Sequence, residues 1–312
     1  MSPARAVVFA HHDVGVRCLK TLLSAGVEVP LVVTVPEDPQ ERQWYASVAA
    51  TAADYGLRVI APAEANTPDL ERTVTELRPD FVFSFYYRSL LAAPLLRAAS
   101  AGALNMHGSL LPRYRGRAPV NWAILRGERE SGATLHYMVD RVDAGDIVDS
   151  QAVPILLDDE AREVSAKVTV AAEMVLARSL PALIAGTAPR RPQPILPGEY
   201  FGRRRPEDGR IDWTRPALDI HNLVRAVAPP FPGAFGMVSG ERWEIHRTRL
   251  SEQAAPVDAS LERPYLFAAG GACYVACCDG GVLRLLSAAH RDGPADLASL
   301  ASALAQRPVP LR

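Results

Sequence analysis

The first 200 residues alternate between short, continuously apolar segments and longer amphipathic segments. Because the apolar segments lack polar alternation, they are typical of strands in a parallel sheet covered on both faces. Glycine, proline and polar clusters separate them from segments with helical spacing. The pattern predicts strands at 5–10, 29–35, 58–62, 80–85 and 102–107, and helices at 15–26, 40–55, 69–78 and 89–100, the last interrupted by Pro94.

The pattern changes in the second half of the chain. Strands at 131–139 and 146–155 and a helix at about 160–184 complete the predicted sheet domain, and a Pro- and Gly-rich connector follows at 186–202. One helix at about 216–227 then precedes short strands broken by Gly, Pro and Ser, which predicts a small β-barrel-like domain. We therefore predict an α/β protein, with a Rossmann-like, mostly parallel sheet and helices on both faces in residues 1–200 and a barrel domain in residues 201–312.

Composition and charge exclude several classes of protein. The 312 residues are 48% apolar, with a net charge of −1 and a pI near 6.7, whereas proteins that grip nucleic acid are usually strongly basic. The four cysteines fit no zinc-binding spacing, and no apolar run approaches the length of a membrane span or of a signal-peptide core. We expect a cytoplasmic protein with no membrane insertion, no nucleic-acid partner and no bound metal.

The first predicted strand is followed by the sequence HHDVGV at 11–16, which lacks the G-x-G-x-x-G pattern that cradles a dinucleotide pyrophosphate. A Rossmann-like sheet without that pattern serves another ligand. In open parallel sheets, ligands bind beyond the carboxyl ends of the strands, and His107 lies at such an end. The fifth predicted strand therefore carries the candidate site.

Asn105 and His107 are two residues apart on this strand, so their side chains share one face. Asp143 lies in a polar turn between two later strands, and that turn can reach the same sheet edge. An amide, an imidazole and a carboxylate suit acyl transfer to an amine. The first two can donate hydrogen bonds to the developing oxyanion, and the third can accept a proton or orient the imidazole. Ser109 lies outside any G-x-S-x-G elbow, so no covalent enzyme intermediate is implied.

Spacing alone leaves structural roles open for each of these residues. Asn105 could satisfy backbone groups, and His107 could be a hydrogen-bonded core histidine. Asp143 could simply form the turn, and Asp140 and Asp146 are equally eligible as the acidic group. The arginines that follow the strand could be a solvated charged run.

Two long motifs carry a resemblance to a known family. The stretches LNMHGSLLPRYRGRAPVNWAIL at 104–125 and TLHYMVDRVDAGDIV at 134–148 resemble the two signatures of folate-dependent formyltransferases. The resemblance implies N10-formyltetrahydrofolate as the formyl donor, a C-terminal barrel like an OB-fold, and Asn105, His107 and Asp143 as catalytic residues. It also implies a folate pocket formed by Ser89, Leu90, Leu91, Arg117, Val139, Asp140, Arg141 and Val142.

Within that family, nearly the whole chain resembles the formyltransferase part of the bifunctional enzyme for UDP-4-amino-4-deoxy-L-arabinose, which serves lipid A modification and polymyxin resistance. The implied reaction is formylation of the 4-amino group by direct amine attack. The chain ends before a decarboxylating domain could begin, so we expect a stand-alone formyltransferase. Tyr87 and Asn121 are expected beside the sugar, and Arg203 and Arg204 beside the phosphates, because guanidinium groups suit diphosphates. A homo-oligomer is compatible with the sequence.

Four other functions compete with this interpretation. Methionyl-tRNA formyltransferase would share the signatures, but its polyanionic substrate favours a more basic protein. Glycinamide ribonucleotide formyltransferases usually lack the second domain. Other sugar-nucleotide N-formyltransferases remain open, whereas a non-enzymatic binding module would not need the three catalytic residue types together.

Overall fold

A computed structural model describes residues 3–36, 43–194, 200–238, 240–256, 262–290 and 293–311. The chain divides into two compact units. The first contains Met1–Pro119, Glu130–Pro154 and Ser165–Gly202, and the second contains Val120–Arg129, Ile155–Val164 and Arg203–Arg312. The chain passes from the first unit to the second for the last time between Gly202 and Arg203, next to the predicted domain boundary at 200/201. Two shorter segments, 120–129 and 155–164, also group with the second unit.

The first unit is built on a seven-stranded sheet. Its strands follow the order β3-β2-β1-β4-β5-β7-β8, in which β1 to β5 are parallel and β7 and β8 are antiparallel. The order 3-2-1-4-5 is that of a Rossmann-like sheet, as the sequence predicts. The strands among the described residues of this unit, including a separate β6–β9 pair, are β1 Arg5–Ala10, β2 Glu28–Val33, β3 Val59–Ile60, β4 Phe81–Phe85, β5 Gly102–His107, β6 Arg115–Gly116, β7 Glu130–Tyr137, β8 Ile147–Pro154 and β9 Tyr200–Phe201.

The central strands are buried on both faces, which accounts for their continuous apolar sequences. Phe9, Phe83 and Leu104 are fully buried on β1, β4 and β5. The helices up to the connector are α1 His12–Ser24, α2 Val48–Asp54, α3 Pro68–Glu76, α4 Ala93–Arg97, α5 Pro119–Leu125 and α6 Ala161–Ile184.

Two predicted helices are shorter in the structure. The helix predicted at 40–55 begins only at Val48, because the Ser47 side chain accepts a hydrogen bond from Ala50 N–H and caps the first turn; residues 40–42 lie outside the described residues. The helix predicted at 89–100 is reduced to α4, in which Pro94 occupies the first turn rather than interrupting the helix. Residues 89–92 therefore form a loop.

The second unit is an antiparallel sheet with two helices packed on it. Its strands follow the order β10-β11-β14-β13-β12-β16, with β15 beside β14, and helix α7 packs against β11 and α8 against β12 and β13. The elements are a short 3₁₀ helix Pro206–Gly209, α7 Ala217–Ala226, β10 Ala234–Val238, β11 Glu241–Ser251, β12 Tyr265–Ala269, β13 Ala272–Ala276, β14 Val282–His290, β15 Gly293–Pro294, α8 Leu297–Gln306 and β16 Val309–Pro310. The predicted fold class, a Rossmann-like sheet followed by a small β domain, is confirmed.

Helix α7 explains why two earlier segments belong to the second unit. The buried Arg225 donates to the carbonyl oxygens of Leu156 and Asp159. The buried Asn121 donates from Nδ2 to Ala226 O at 2.7 Å. These contacts tie 155–164 and the α5 region to α7, and sequence periodicity could not reveal them. Among the described residues, no helix combines the length and apolarity that crossing a membrane requires.

Candidate functional site

The antiparallel pairing of β5 with β7 brings an asparagine and a histidine face to face. Asn105 is the partner of His136 in this register, and Asn105 Nδ2 lies 3.2 Å from His136 Nε2. His136 Nδ1 lies 2.8 Å from the carbonyl oxygen of Tyr137, so Nδ1 carries the proton and donates. In the neutral ring, Nε2 is therefore an acceptor, and it orients the Asn105 amide by accepting one of its N–H groups.

His107 lies on the same face of β5, two residues beyond Asn105. Its Nε2 donates to the carbonyl oxygen of Tyr114 at 2.9 Å, and the side chain is almost completely buried. This hydrogen bond leaves Nδ1 as the ring nitrogen that can face a carboxylate or a ligand.

Asp143 approaches both histidines from the connection between β7 and β8. Its Oδ2 lies 3.7 Å from His107 Nδ1, and its Oδ1 lies 3.6 Å from His136 Nε2. The backbone N–H of Gly116 donates to Oδ2 at 2.9 Å. Asp143 also has a φ of +52°, in the left-handed region that aspartate tolerates better than most residues. The three predicted catalytic side chains thus converge, together with His136.

The electrostatics of this cluster favour an ionised Asp143. Burial by itself raises the pKa of Asp143, but the imidazole of His107, the contact with His136 and the N–H of Gly116 outweigh it and lower that pKa well below its ordinary value. A carboxylate with so low a pKa is a weak proton acceptor near neutral pH. Its stronger action is to stabilise positive charge on the imidazole of His107.

The loop after β5 is held by hydroxyl groups and a glycine. Ser109 is buried and donates from Oγ to Arg113 O at 2.6 Å, while Thr134 donates to Ser109 O at 2.7 Å. The serine hydroxyl is therefore engaged in loop structure, as expected for a residue that is not a nucleophile. Gly108 must lack a side chain, because a Cβ there would lie 1.9 Å from the hydroxyl oxygen of Tyr86.

The first group of predicted folate residues lies in the loop between β4 and α4. Asn66 holds this loop by donating to Leu90 O at 2.9 Å and accepting from Ala92 N at 2.8 Å. Leu90 is 63% exposed, while Leu91 packs on the core of the first unit and Ser89 is exposed. The Arg117 guanidinium donates to Arg88 O at 3.3 Å, which links Arg117 to the same loop.

The second group lies in the tight turn that ends at Asp143. Val139 is 49% exposed, Asp140 and Arg141 are exposed, and Val142 is half-buried. Ala144 N–H donates to Arg141 O at 3.3 Å and closes the turn. Exposed apolar side chains are therefore present in both predicted folate segments, a feature that suits packing against a flat ring.

The four residues predicted for the sugar nucleotide are divided between the units. Tyr87, in the first unit, is half-buried with its ring edge-on to Phe9 at 5.4 Å. In the second unit, Asn121 donates one N–H to Ala226 O, and Arg203 is exposed. The Arg204 guanidinium lies 4.9 Å from the ring centroid of Trp122.

Sequence reasoning missed His136 as a member of the site. It stands within the second motif, yet nothing in its spacing distinguishes it from an ordinary strand residue. Its position opposite Asn105 depends on the register between two strands about thirty residues apart. If the register of β5 with β7 had been known, the pairing of His136 with the predicted catalytic Asn105 would have marked His136 as a member of the site.

Comparison with known proteins gives a family and a fold. The model described as Formyl transferase matches residues 5–180, and that of the Formyl transferase C-terminal domain matches residues 204–295. An N-formyltransferase from Helicobacter canadensis, solved with folinic acid and dTDP-3-aminofucose, is 20% identical over 91% of this chain and 99% of its own, with a TM-score of 0.70. WlaRD, a sugar 3N-formyl transferase solved with dTDP and 5-N-formyl-THF, is 18% identical over 95% and 99%, with a TM-score of 0.71. A sugar N-formyltransferase from Shewanella sp FDAARGOS_354 is 18% identical over 78% and 96%, with a TM-score of 0.61.

Proposed function

The chain belongs to the formyl transferase family, and from this premise we propose that it transfers a formyl group from N10-formyltetrahydrofolate to the amine of a nucleotide-linked sugar. The observation that carries the proposal is the convergence of Asn105, His107 and Asp143 beside His136. We propose the cytoplasm as the site of the reaction, because both substrates are charged and water-soluble.

The geometry assigns a separate task to each side chain. When the amine attacks the formyl carbon, negative charge develops on the formyl oxygen. Asn105 has a second N–H for which the described residues offer no hydrogen-bond partner, and it can donate to that oxygen. His107 can donate from Nδ1 once protonated, because its Nε2 is already engaged by Tyr114 O.

Asp143 stabilises a protonated His107 inside the protein. Its ionised carboxylate lies 3.7 Å from His107 Nδ1 and compensates the positive charge of the imidazolium. As the new C–N bond forms, the amine loses a proton; as the old C–N bond breaks, the folate nitrogen gains one. His107 is placed to hold or return such a proton, whereas Asp143 acts mainly through its charge.

The donor would lie against the two segments predicted for it. We propose that Leu90 and Val139 pack on the pterin ring and that Arg117 and the 139–142 turn contact its polar edge. The exposure of both apolar side chains and the link from Arg117 to the Arg88 carbonyl support this placement. Relatives solved with folinic acid and 5-N-formyl-THF also support a folate donor.

The finer proposal for the acceptor is UDP-4-amino-4-deoxy-L-arabinose, with Tyr87, Asn121, Arg203 and Arg204 as its contacts. The whole-chain resemblance described above supports it, and the product would serve lipid A modification and polymyxin resistance. A dTDP-linked 3-amino sugar is a second candidate, favoured by the dTDP-3-aminofucose and dTDP present in two similar structures. Methionyl-tRNA is a third acceptor, and the net charge of −1 argues against it.

One experiment separates these acceptors. The protein is incubated with N10-formyltetrahydrofolate and one of UDP-4-amino-4-deoxy-L-arabinose, a dTDP-linked 3-amino sugar or charged initiator tRNA, and the formylated product is identified by mass spectrometry. We expect formylation of an amino sugar and none of the tRNA, with Asp143→Asn as the control that turns over at a strongly reduced but measurable rate. Formylation of the tRNA alone would reject the sugar assignment.

A further inference from the structure

The connector, residues 186–202, does more than join two units. Its residues 190–193 and 200–201 contact the elements that carry the proposed catalytic side chains. Arg191 and Ile147 exchange two backbone hydrogen bonds of 2.8 and 3.0 Å at the start of β8. The Arg190 guanidinium lies 3.8 Å from the ring centroid of Tyr137 at the end of β7. The connector thus docks on both strands of the hairpin that presents Asp143.

Gln193 is the connector residue that reaches the catalytic turn. Its Nε2 donates to the carbonyl oxygen of Asp143 at 3.2 Å and to that of Gly145 at 2.5 Å. One carboxamide therefore ties together two carbonyls two residues apart. The turn between them is tight, since Asp143 has a φ of +52° and a Cβ at Gly145 would lie 2.0 Å from Tyr137 O. Among the described residues, no other side chain donates to these two carbonyls.

The C-terminal end of the connector, at residues 200–201, contacts the loop that hydrogen-bonds to His107 and Asp143. Phe201 O accepts from Arg117 N at 2.9 Å, and the Phe201 ring stacks on Tyr114 at 4.9 Å. The loop between these contacts supplies Tyr114 O to His107 and Gly116 N–H to Asp143. Both described ends of the connector therefore act on groups that orient His107 and Asp143.

We infer that residues 190–193 and 200–201 of the connector position the His107–Asp143 pair, with Gln193 as the main positioning residue. This inference rests on the proposed function for its catalytic meaning. Gln193 holds the backbone of Asp143 rather than the Asp143 carboxylate. Loss of the Gln193 side chain therefore leaves the negative charge in the site but allows the carboxylate to move. A misplacement of about 1 Å is enough to slow catalysis strongly without affecting substrate binding equally.

The test compares Gln193→Met with Gln151→Met. Methionine keeps the length of glutamine but has no N–H donor. Gln151 is a matched control, because its carboxamide donates to Ala152 O on β8 and is bonded by Arg178, away from the Asp143 turn. We expect kcat of Gln193→Met to fall by about 10- to 100-fold while KM for both substrates stays within about twofold. The melting temperature should match that of Gln151→Met.

A double-mutant cycle then asks whether Gln193 acts through Asp143. If it does, Gln193→Met should slow an Asp143→Asn enzyme hardly at all, because the charge that it positions is already gone. Rates that multiply in the double variant would overturn the inference. So would an unchanged kcat in a well-folded Gln193→Met protein.

A measurement without substrate keeps this inference separate from the proposed function. The ring ¹⁵N resonances of His107, recorded on the resting enzyme, report the environment of Nδ1. We expect them to shift in Gln193→Met and to stay unchanged in Gln151→Met. If the wild type formylates none of the acceptors, the proposed function fails, but these resonances still test the positioning role of Gln193. Identical spectra for all three proteins would reject that positioning role.

Discussion

Asn105 and His136 face each other across β5 and β7, with Asn105 Nδ2 3.2 Å from His136 Nε2. Since His136 donates from Nδ1 to Tyr137 O, its other nitrogen accepts from the amide. This pair fixes which way the Asn105 carboxamide points, and hence where its second N–H is offered.

His136→Ala is expected to lower kcat by about tenfold, because Asn105 keeps its donor but loses its orientation. His136→Gln should recover part of the rate, since a glutamine oxygen can accept the same hydrogen bond. Steady-state kinetics with the preferred acceptor measure both. His246→Ala, a change on β11 of the second unit, is the control. A wild-type rate in folded His136→Ala would show that Asn105 needs no such partner.

Asn105→Ala removes the proposed oxyanion donor outright and should lower kcat more than the loss of His136. We expect kcat to fall by at least about 10²-fold, in line with the loss of one donor at other acyl-transfer sites. The melting temperature serves as the check on folding. A higher KM with an unchanged kcat would instead place Asn105 in ground-state binding.

The lowered pKa of Asp143 predicts how stability depends on pH. A carboxyl group whose pKa is lower in the folded than in the unfolded protein stabilises the fold fully above its unfolded pKa, about 3.9. That contribution disappears as the pH falls through the lower, folded pKa. The difference in unfolding free energy between wild type and Asp143→Asn should therefore shrink as the pH falls below about 4. Denaturant titrations at several pH values measure it. A difference that stayed constant down to pH values far below 3.9 would contradict the lowered pKa.

Gly116→Ala tests the contact between Gly116, in β6, and Phe201, in β9. Gly116 has a φ of +101°, and a Cβ there would lie 2.3 Å from Phe201 O, so the loop must move. We expect a loss of stability of about 1–3 kcal/mol and a lower kcat, because Gly116 N–H is a donor to Asp143.

Gly56→Ala is the matched control for that change. Gly56, between α2 and β3, also has a positive φ, +66°, but an added Cβ there would meet nothing within 4 Å. It should therefore show the backbone strain without the displacement of the loop, and kcat should stay near the wild-type value. Equal losses of activity in both variants would mean that the Phe201 contact has no special role.

Local sequence was sufficient for some elements and insufficient for others. The buried strands β1, β4 and β5 were predictable, because continuous apolar sequence bounded by turns leaves few alternatives. The starts of α2 and α4 were not, since they depend on which residue caps the helix: Ser47 accepts from Ala50 N, and Pro94 sits in a first turn. The grouping of 120–129 and 155–164 with the second unit could not be read from local sequence, for a different reason. Their partners, such as Ala226 and Arg225, lie far away in sequence.

The amino-acid sequence alone placed Asn105 and His107 on one face of a strand and Asp143 in the second of two long motifs. The surroundings of these groups depend on tertiary packing. His136 joins the site through the register of β5 with β7, and Gln193 reaches the Asp143 turn from the connector. The difference is one of distance along the chain. Alternation along a strand is a local property of the chain, whereas hydrogen bonds between residues 31 or 50 positions apart exist only once packing has brought the segments together.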